Sequence, residues 1–257
     1  MTIDLVLINV KFRKGKDRCF INLQLHLPIK LPGMCITVVQ TADGSSTLFV
    51  PALREHYHSI HGAVGESLHI FIQCGLRELP SSAGTLRIFE MGFGTGLNAL
   101  LTYFHTLGSA RQVDYTGLDA LPLKDDLYGQ LNYAECLDFK DAEEVFSRIC
   151  FAPWEQKIAV GSHFFLTKHR ARIEDYLPDG SFDLVYFDAF SPVAQPECWT
   201  QEIFSRLFQH MNPGGILVTY SSKGSVRRSL KQAGFTVEKL PGPPGKREIL
   251  RGRKWVP

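Results

Sequence analysis

Several things are missing from this sequence, and each absence narrows what the chain can be. No apolar run approaches the ~20 residues of a membrane span; stretches such as Leu184–Phe187 and Ile216–Val218 are far shorter. The N-terminal apolar stretch carries Asp4 and Asn9 and has no Ala-x-Ala site, so no signal peptide is expected. Six cysteines, at 19, 35, 74, 136, 150 and 198, are scattered without a Cys-x-x-Cys pair. That argues against a disulfide scaffold or a zinc ribbon and for reduced thiols in the cytoplasm. There is no internal repeat and no low-complexity tract. What remains is ordinary globular composition, 44% hydrophobic and 21% charged, enough for one sizeable core.

The net charge of +2 conceals an asymmetry. Residues 223–257 sum to +8 and the remaining 222 residues to −6. One end of the chain is either a solvated basic face or a surface for an anion.

The hydrophobic rhythm divides the chain into three parts. Residues 1–33 form an N-terminal extension, "IDLVLINVKF" reading loosely as a strand before a Pro/Gly-broken loop. Residues 34–84 predict a hairpin about Asp43-Gly44 and then a helix carrying Leu68, Phe71, Ile72 and Leu76. Residues 85–257 alternate strand and helix: "LRIFEM", "ALLTYFHTLG", "QVDYTGLD", "HFFLTKHR", "FDLVYFDAF", "PECWTQEIFSRLFQHM", "ILVTYS" and "SVRRSLKQAGF". Such alternation predicts an α/β, doubly wound, mostly parallel sheet. The short "PGPPGK" connection makes the last two strands an antiparallel hairpin.

In "EMGFGTGLN", Gly92, Gly94 and Gly96 lie between a strand and a helix, where backbone N–H groups can face a ligand. Asp119 ends the next strand, the place at which doubly wound folds present a carboxylate to ribose hydroxyls. The spacing Glu-x-Gly-x-Gly-x-Gly differs from the dinucleotide pattern. Together with the closing hairpin it resembles the Rossmann-like class I methyltransferases that use S-adenosylmethionine, which is favoured here over NAD as cofactor.

The blocks "YFDAFSPVAQPECWTQEIF" and "PGGILVTYSSKGSVRRSLKQAGFTVEKLPGPPGKREILRG" are more specific. With "EMGFGTGLN" and "EHYHSIHGAVGESLHIFI" they closely resemble the methyltransferase domain of the bacterial MnmC family and its stand-alone form. The resemblance runs from about Met34 to Gly252. It implies N-methylation of the exocyclic amine of 5-aminomethyl-2-thiouridine at the tRNA wobble position, with no flavin chemistry in this chain. It implies cofactor contacts from Glu90, Gly92, Gly94, Gly96, Asn98 and Asp119. Tyr57, Ser59 and Glu66 would form a flap over the cofactor, Glu66 near its amino group. The residue that would hold the adenine amine stays open between Glu174 and Asp175.

A protonated alkylamine has no lone pair, so an acceptor must take its proton before it attacks a methyl group. Asp188 at the tip of "LVYFD" is the candidate, with Phe190 beside the cationic centre and Pro192 stiffening the turn. Asp188 as a cap of the following helix is the bland alternative. For an anticodon stem-loop, phosphate contacts are expected from Arg227, Arg228, Lys246, Arg247 and Arg251. His56, His58 and His61 lie close together, but no Cys or acid completes a ligand set, and no metal is expected. A spermidine-synthase-like aminopropyltransferase, or a methyltransferase of proteins or small molecules, is the competing reading.

Overall fold

The computed structural model describes residues 36–80, 84–176 and 178–255. The extension 1–33, with its expected strand, lies outside them. Met34–Pro257 forms one compact unit.

The chain enters the described region as a small antiparallel sheet, β1 (Thr37–Gln40), β2 (Ser46–Val50) and β3 (Glu55–His56). The Asp43-Gly44 turn sits where the hairpin signal put it, with Gly44 at φ 86°. The Asp43 carboxylate ties the turn to the next helix by accepting from Ser45 N–H and Gly65 N–H. That helix is not continuous: α1 (Ala63–Ser67) passes into a π-helix, Leu68–Gln73, and a 3-10 turn, Leu76–Glu78.

From β4 (Gly84–Met91) onward the expected alternation appears. It continues through α2 (Leu97–Thr106), β5 (Arg111–Asp119), α3 (Asp125–Tyr128) and α4 (Ala142–Cys150). Next come β6 (Lys157–Ala159), β7 (Phe164–Arg170), β8 (Phe182–Phe187) and α5 (Gln201–Gln209). The chain closes with β9 (Met211–Thr219), α6 (Gly224–Gln232), β10 (Thr236–Pro241) and β11 (Glu248–Arg253). The sheet order is β10-β11-β9-β8-β4-β5-β7-β6. The five strands from β9 to β7 are parallel, and both edges are antiparallel. Because the chain first travels from β4 toward β7 and then returns to β8, the carboxyl ends of β4 and β8 flank a crevice where strand order reverses. That is the position at which doubly wound sheets bind ligands.

Period-two alternation splits the core between the two faces. Leu184 and Tyr186 of β8 join Ile88, Ile216 and Val218 under α2, α4 and the flap, while Val185 and Phe187 join Phe89 and Leu217 under α5 and α6. Leu48, Ala63, Ile70 and Phe71 belong to the same buried cluster as Leu100 of α2. The hairpin and flap are thus packed on the sheet domain rather than set apart from it at residue 84.

Periodicity missed two features. The edge strand β6 is three residues long and carries no apolar signal of its own. Lys168 of β7 is fully buried: its ammonium donates to the carbonyls of Cys150 (2.7 Å) and Ile149 (3.3 Å) and lies 4.8 Å over the Trp154 ring. It caps the C-terminus of α4, where the helix dipole favours a cation, and burial lowers its pKa to about 8.

The fold also redistributes the basic tail. Arg251, only 8% exposed, pairs with Glu238 (2.6 Å) and Glu78 (2.9 Å) and donates to Cys74 O. Arg253 pairs with Glu78, Lys239 with Glu248, and Lys246 with Glu66, while Lys254 donates to Phe208 O and Met211 O. Arg251, expected on an RNA face, is instead a tie between β11, β10 and the 3-10 turn. Arg251→Met should destabilise the fold by about 2–3 kcal/mol, because Glu78 and Glu238 lose a charged donor. Chemical denaturation checks this.

Candidate active site

The glycine loop follows β4 and opens α2. Gly92, Gly94 and Gly96 have φ of 87°, 49° and 77°, a region that side-chain-bearing residues rarely adopt. The space a Cβ would need is taken by the protein itself. At Gly92 it would lie 2.5 Å from Asp188 O, and at Gly94 3.0 Å from the Tyr57 ring. These glycines let the strand tips and the flap close together, which is a different reason from the backbone–ligand approach the sequence suggested.

Three acids converge on the carboxyl edge of the sheet. Glu90, near the end of β4, is fully buried and accepts from Asn98 Nδ2 (2.8 Å) and Tyr115 OH (2.8 Å). Burial holds its carboxyl well above the usual range. Both Glu90 oxygens are engaged inside the protein, so it braces the loop from beneath and is not exposed to a cofactor. Asn98 uses its second N–H on Asp188 Oδ2 (2.9 Å). The cofactor contact expected of Asn98 is thus replaced, for its amide nitrogen, by a bridge between two carboxyls. Asp119 accepts from Gly94 N–H and Leu121 N–H, both 2.9 Å, which fixes loop and carboxylate to each other.

Asp188 follows β8 directly, its N–H donating to Met91 O (2.9 Å). It caps no helix: the 3-10 turn Pro196–Trp199 has Gln195 at its cap position. Burial, with Glu66 nearby, pushes the Asp188 carboxyl up to about 8, against the Asn98 hydrogen bond and the Lys246 charge. Phe190 is clamped by Gln195 Oε1 on its N–H and by Trp199 Nε1 on its carbonyl, and its ring meets Tyr57 edge-on at 5.0 Å. Trp199 packs edge-on against Phe187 of β8 and also fixes the turn that carries Phe190. Pro192, two residues on, is partly exposed.

The flap reaches this edge through side chains. Ser191 Oγ donates to the Glu55 carboxylate, and His58 Nε2 and Thr95 Oγ1 are 2.9 Å apart. His58 is buried and stays neutral, its pKa lowered to about 4. The three histidines diverge: His56 stacks on Phe49 and His61 packs at Gly245. Glu66 accepts from Ser59 N–H with Oε2 (2.7 Å), while Oε1 is buried without a hydrogen-bond partner and lies 3.2 Å from Lys246 Nζ.

The donor set fits S-adenosylmethionine. Glu66 Oε1, buried and paired only with the Lys246 ammonium, keeps acceptor capacity that suits a second ammonium. Asp119 spends one backbone donor on each oxygen, leaving further acceptor capacity for hydroxyls. The loop joins the N-terminus of α2. The Glu174 side chain is engaged with Arg172 instead (2.8 Å).

A raised folded-state pKa means that the native state binds more protons than the unfolded state between about pH 4 and 8. The stability that Asp188 contributes is therefore present below pH 4 and lost as pH rises through 8. Asp188→Asn removes this titration. The variant should be more stable than wild type at pH 8, by roughly 1–3 kcal/mol, and so melt at higher temperature, with the gap closing toward pH 4. Equal melting curves across that range would show that Asp188 is not held under this strain.

A family described as S-adenosyl-L-methionine-dependent methyltransferase matches residues 155–255. The chain is 32% identical over 217 residues to the tRNA 5-methylaminomethyl-2-thiouridine biosynthesis bifunctional protein MnmC of Azoarcus sp. (strain BH72), covering 80% of this chain and 34% of that protein. It is 33% identical over 216 residues to the protein of the same name from Pseudomonas savastanoi pv. phaseolicola, covering 76% and 31%. The chain thus spans about a third of the length of these curated relatives. Among solved structures it is similar to MNMC2 from Aquifex aeolicus, with a TM-score of 0.70 and 26% identity over 88% of this chain and 73% of that one. In sequence the chain is similar to these S-adenosyl-L-methionine-dependent methyltransferase relatives, and in fold it has the class I α/β architecture.

Proposed function

We propose that this chain methylates the exocyclic amine of 5-aminomethyl-2-thiouridine at the wobble position of tRNA, giving 5-methylaminomethyl-2-thiouridine. The observation that carries the reading is Asp188, a carboxyl of raised pKa at the switch point, aimed by Asn98 and flanked by Phe190. The matched relatives, named for biosynthesis of this nucleoside, support the choice of substrate.

The cofactor, when bound, supplies a methyl group on a sulfonium. Glu66, Asp119 and the loop Gly92–Gly96 are the residues placed to hold it. An incoming ammonium can donate to Asp188, whose carboxylate accepts the proton directly or through water. A carboxyl titrating near 8 shares a proton with an amine far more evenly than an ordinary aspartate would. Phe190, rigid between Gln195 and Trp199, lies beside the cationic centre, where a cation–π contact contributes ~0.5–2 kcal/mol. Once neutral, the amine would have a lone pair for the methyl group that the cofactor would supply, and the main remaining task of these residues would be alignment.

For the RNA, the cations without an ion-pair partner among the described residues matter most. Lys223, Arg227 and Arg228 surround the start of α6. The preceding Tyr220 donates to Ala189 O, beside Asp188. Arg247 is exposed on the β10–β11 turn. These residues can meet phosphates while an unstacked base enters the crevice. No helix among the described residues is long and apolar enough to cross a membrane.

Nucleoside mass spectrometry tests the reaction. Protein, S-adenosylmethionine and tRNA bearing 5-aminomethyl-2-thiouridine should yield that nucleoside plus one methyl, at a rate reduced at least ~100-fold by Asp188→Asn. Cofactor binding without methylation of the nucleoside would reject the substrate and turn attention to small amines. Fluorescence anisotropy across a salt series tests the surface: an Arg227→Ala, Arg228→Ala double variant should flatten the log–log slope by about 2.

A further inference from the structure

Besides Arg251, a second basic residue departs from an RNA-facing role, Lys246. It sits at the tip of the β10–β11 hairpin, in a turn closed by Lys246 N–H to Pro243 O and Gly242 N–H to Arg247 O. The tip is seated on the flap at two other points. Gly245, at φ 84°, lies so close to His61 that a Cβ would come within 2.1 Å of the ring, and His69 Nε2 lies 2.8 Å from Pro241 O. These contacts turn Lys246 away from the outer surface. Its ammonium is 3.2 Å from Glu66 Oε1 and 4.9 Å from the centre of the Tyr220 ring. The Tyr220 hydroxyl in turn bonds the carbonyl of Ala189, adjacent to Asp188.

Lys246 therefore faces Glu66 directly and acts with it on Asp188, while Glu90, joined to Asp188 through Asn98, and Asp119 are the further carboxyls of this edge. The other titratable groups facing Lys246 from the packed elements are Tyr220 and His61. Two acids without a cation would hold any incoming amine as its ammonium, the form that cannot attack a methyl group. A fixed positive charge opposes that, since a like charge lowers the proton affinity of an amine and an opposite charge lowers that of a carboxyl.

We propose that Lys246 is a positioning residue of the active site rather than a phosphate contact: its ammonium aligns Glu66 and balances the acid pair, so that the accepting amine is held without its extra proton. As regards the amine, the inference rests on the methylation reading above; as regards Asp188, it does not. The field at Asp188 already carries both partners, Glu66 raising its pKa and Lys246 lowering it.

Two variants with opposite signs test it. In ligand-free protein, carbon-13 NMR of the aspartate carboxyls should show Asp188 titrating about one pH unit higher in Lys246→Met and lower than wild type in Glu66→Gln. Lys246→Arg should restore the wild-type value. A purely structural contact would move both variants the same way or neither. In turnover, the acid limb of kcat/KM for tRNA, at saturating cofactor, should move with the carboxyl. Near pH 6.5, Lys246→Met should be about tenfold slower than wild type and should recover above pH 9. Its tRNA affinity, by anisotropy without cofactor, should stay within about twofold of wild type, because at most one phosphate contact is at stake. An unmoved Asp188 titration, or a drop in RNA affinity with an unmoved limb, overturns the proposal. If Lys246→Met does not fold, the test rests on Glu66→Gln, expected to lower the Asp188 titration, and on Lys246→Arg, expected to leave it at the wild-type value. A wild type that titrates as described but leaves the nucleoside unmethylated refutes the substrate and leaves the charge balance standing.

Discussion

One amide holds the carboxyl edge of the sheet together. Asn98 gives both of its N–H bonds to carboxyls, Glu90 from β4 and Asp188 from β8. Those strands are neighbours in the sheet, and Asn98 stands in the first turn of the helix that begins between them. Each acid would be costly to bury alone. Held by one amide and, for Glu90, by Tyr115, they become a fixed pair whose spacing is set by the sheet. The glycine loop follows from this. Its positive-φ residues let α2 begin close enough to β8 for Asn98 to reach, and Gly92 has no Cβ because the Asp188 carbonyl occupies that place.

The flap depends on the same edge. Tyr57 packs on Phe190, His58 meets Thr95 of the loop, and Glu55 accepts from Ser191. Each contact joins the small N-terminal sheet to a residue within three positions of a glycine or of Asp188. Strain at Asp188 is offset by this scaffold. The site tolerates a carboxyl in an unfavourable environment because the surrounding hydrogen bonds leave it no relaxed alternative.

Much of this was legible in the sequence. The alternation of β4, α2 and β5, the hairpin at Asp43-Gly44 and the closing antiparallel pair all carry local signals, and local signals survive folding. The place of Asp188 just beyond a strand was legible because it closes the apolar run of β8. Arg251 was misplaced on an RNA face because charge counts do not show partners. Glu78 lies far from Arg251 and Arg253 along the chain, and nothing local in the sequence announces that pairing. Glu90 was read as a contact because motif membership does not reveal which side of the loop a side chain occupies. Lys168 was invisible for a related reason. Its partners are backbone carbonyls, which every residue has.

The π-helix at Leu68–Gln73 has a meaning for inheritance. A π turn is one residue more than an α turn needs, and successive helical residues are about 100° apart around the axis. The extra residue sets the phase between Glu66, before it, and Cys74, whose carbonyl receives Arg251, after it. The flap and the hairpin are consequently keyed to each other by chain length as well as by side-chain identity. Loss of a single residue in this segment would leave every contact residue in place in the sequence and still turn one end away from its partner.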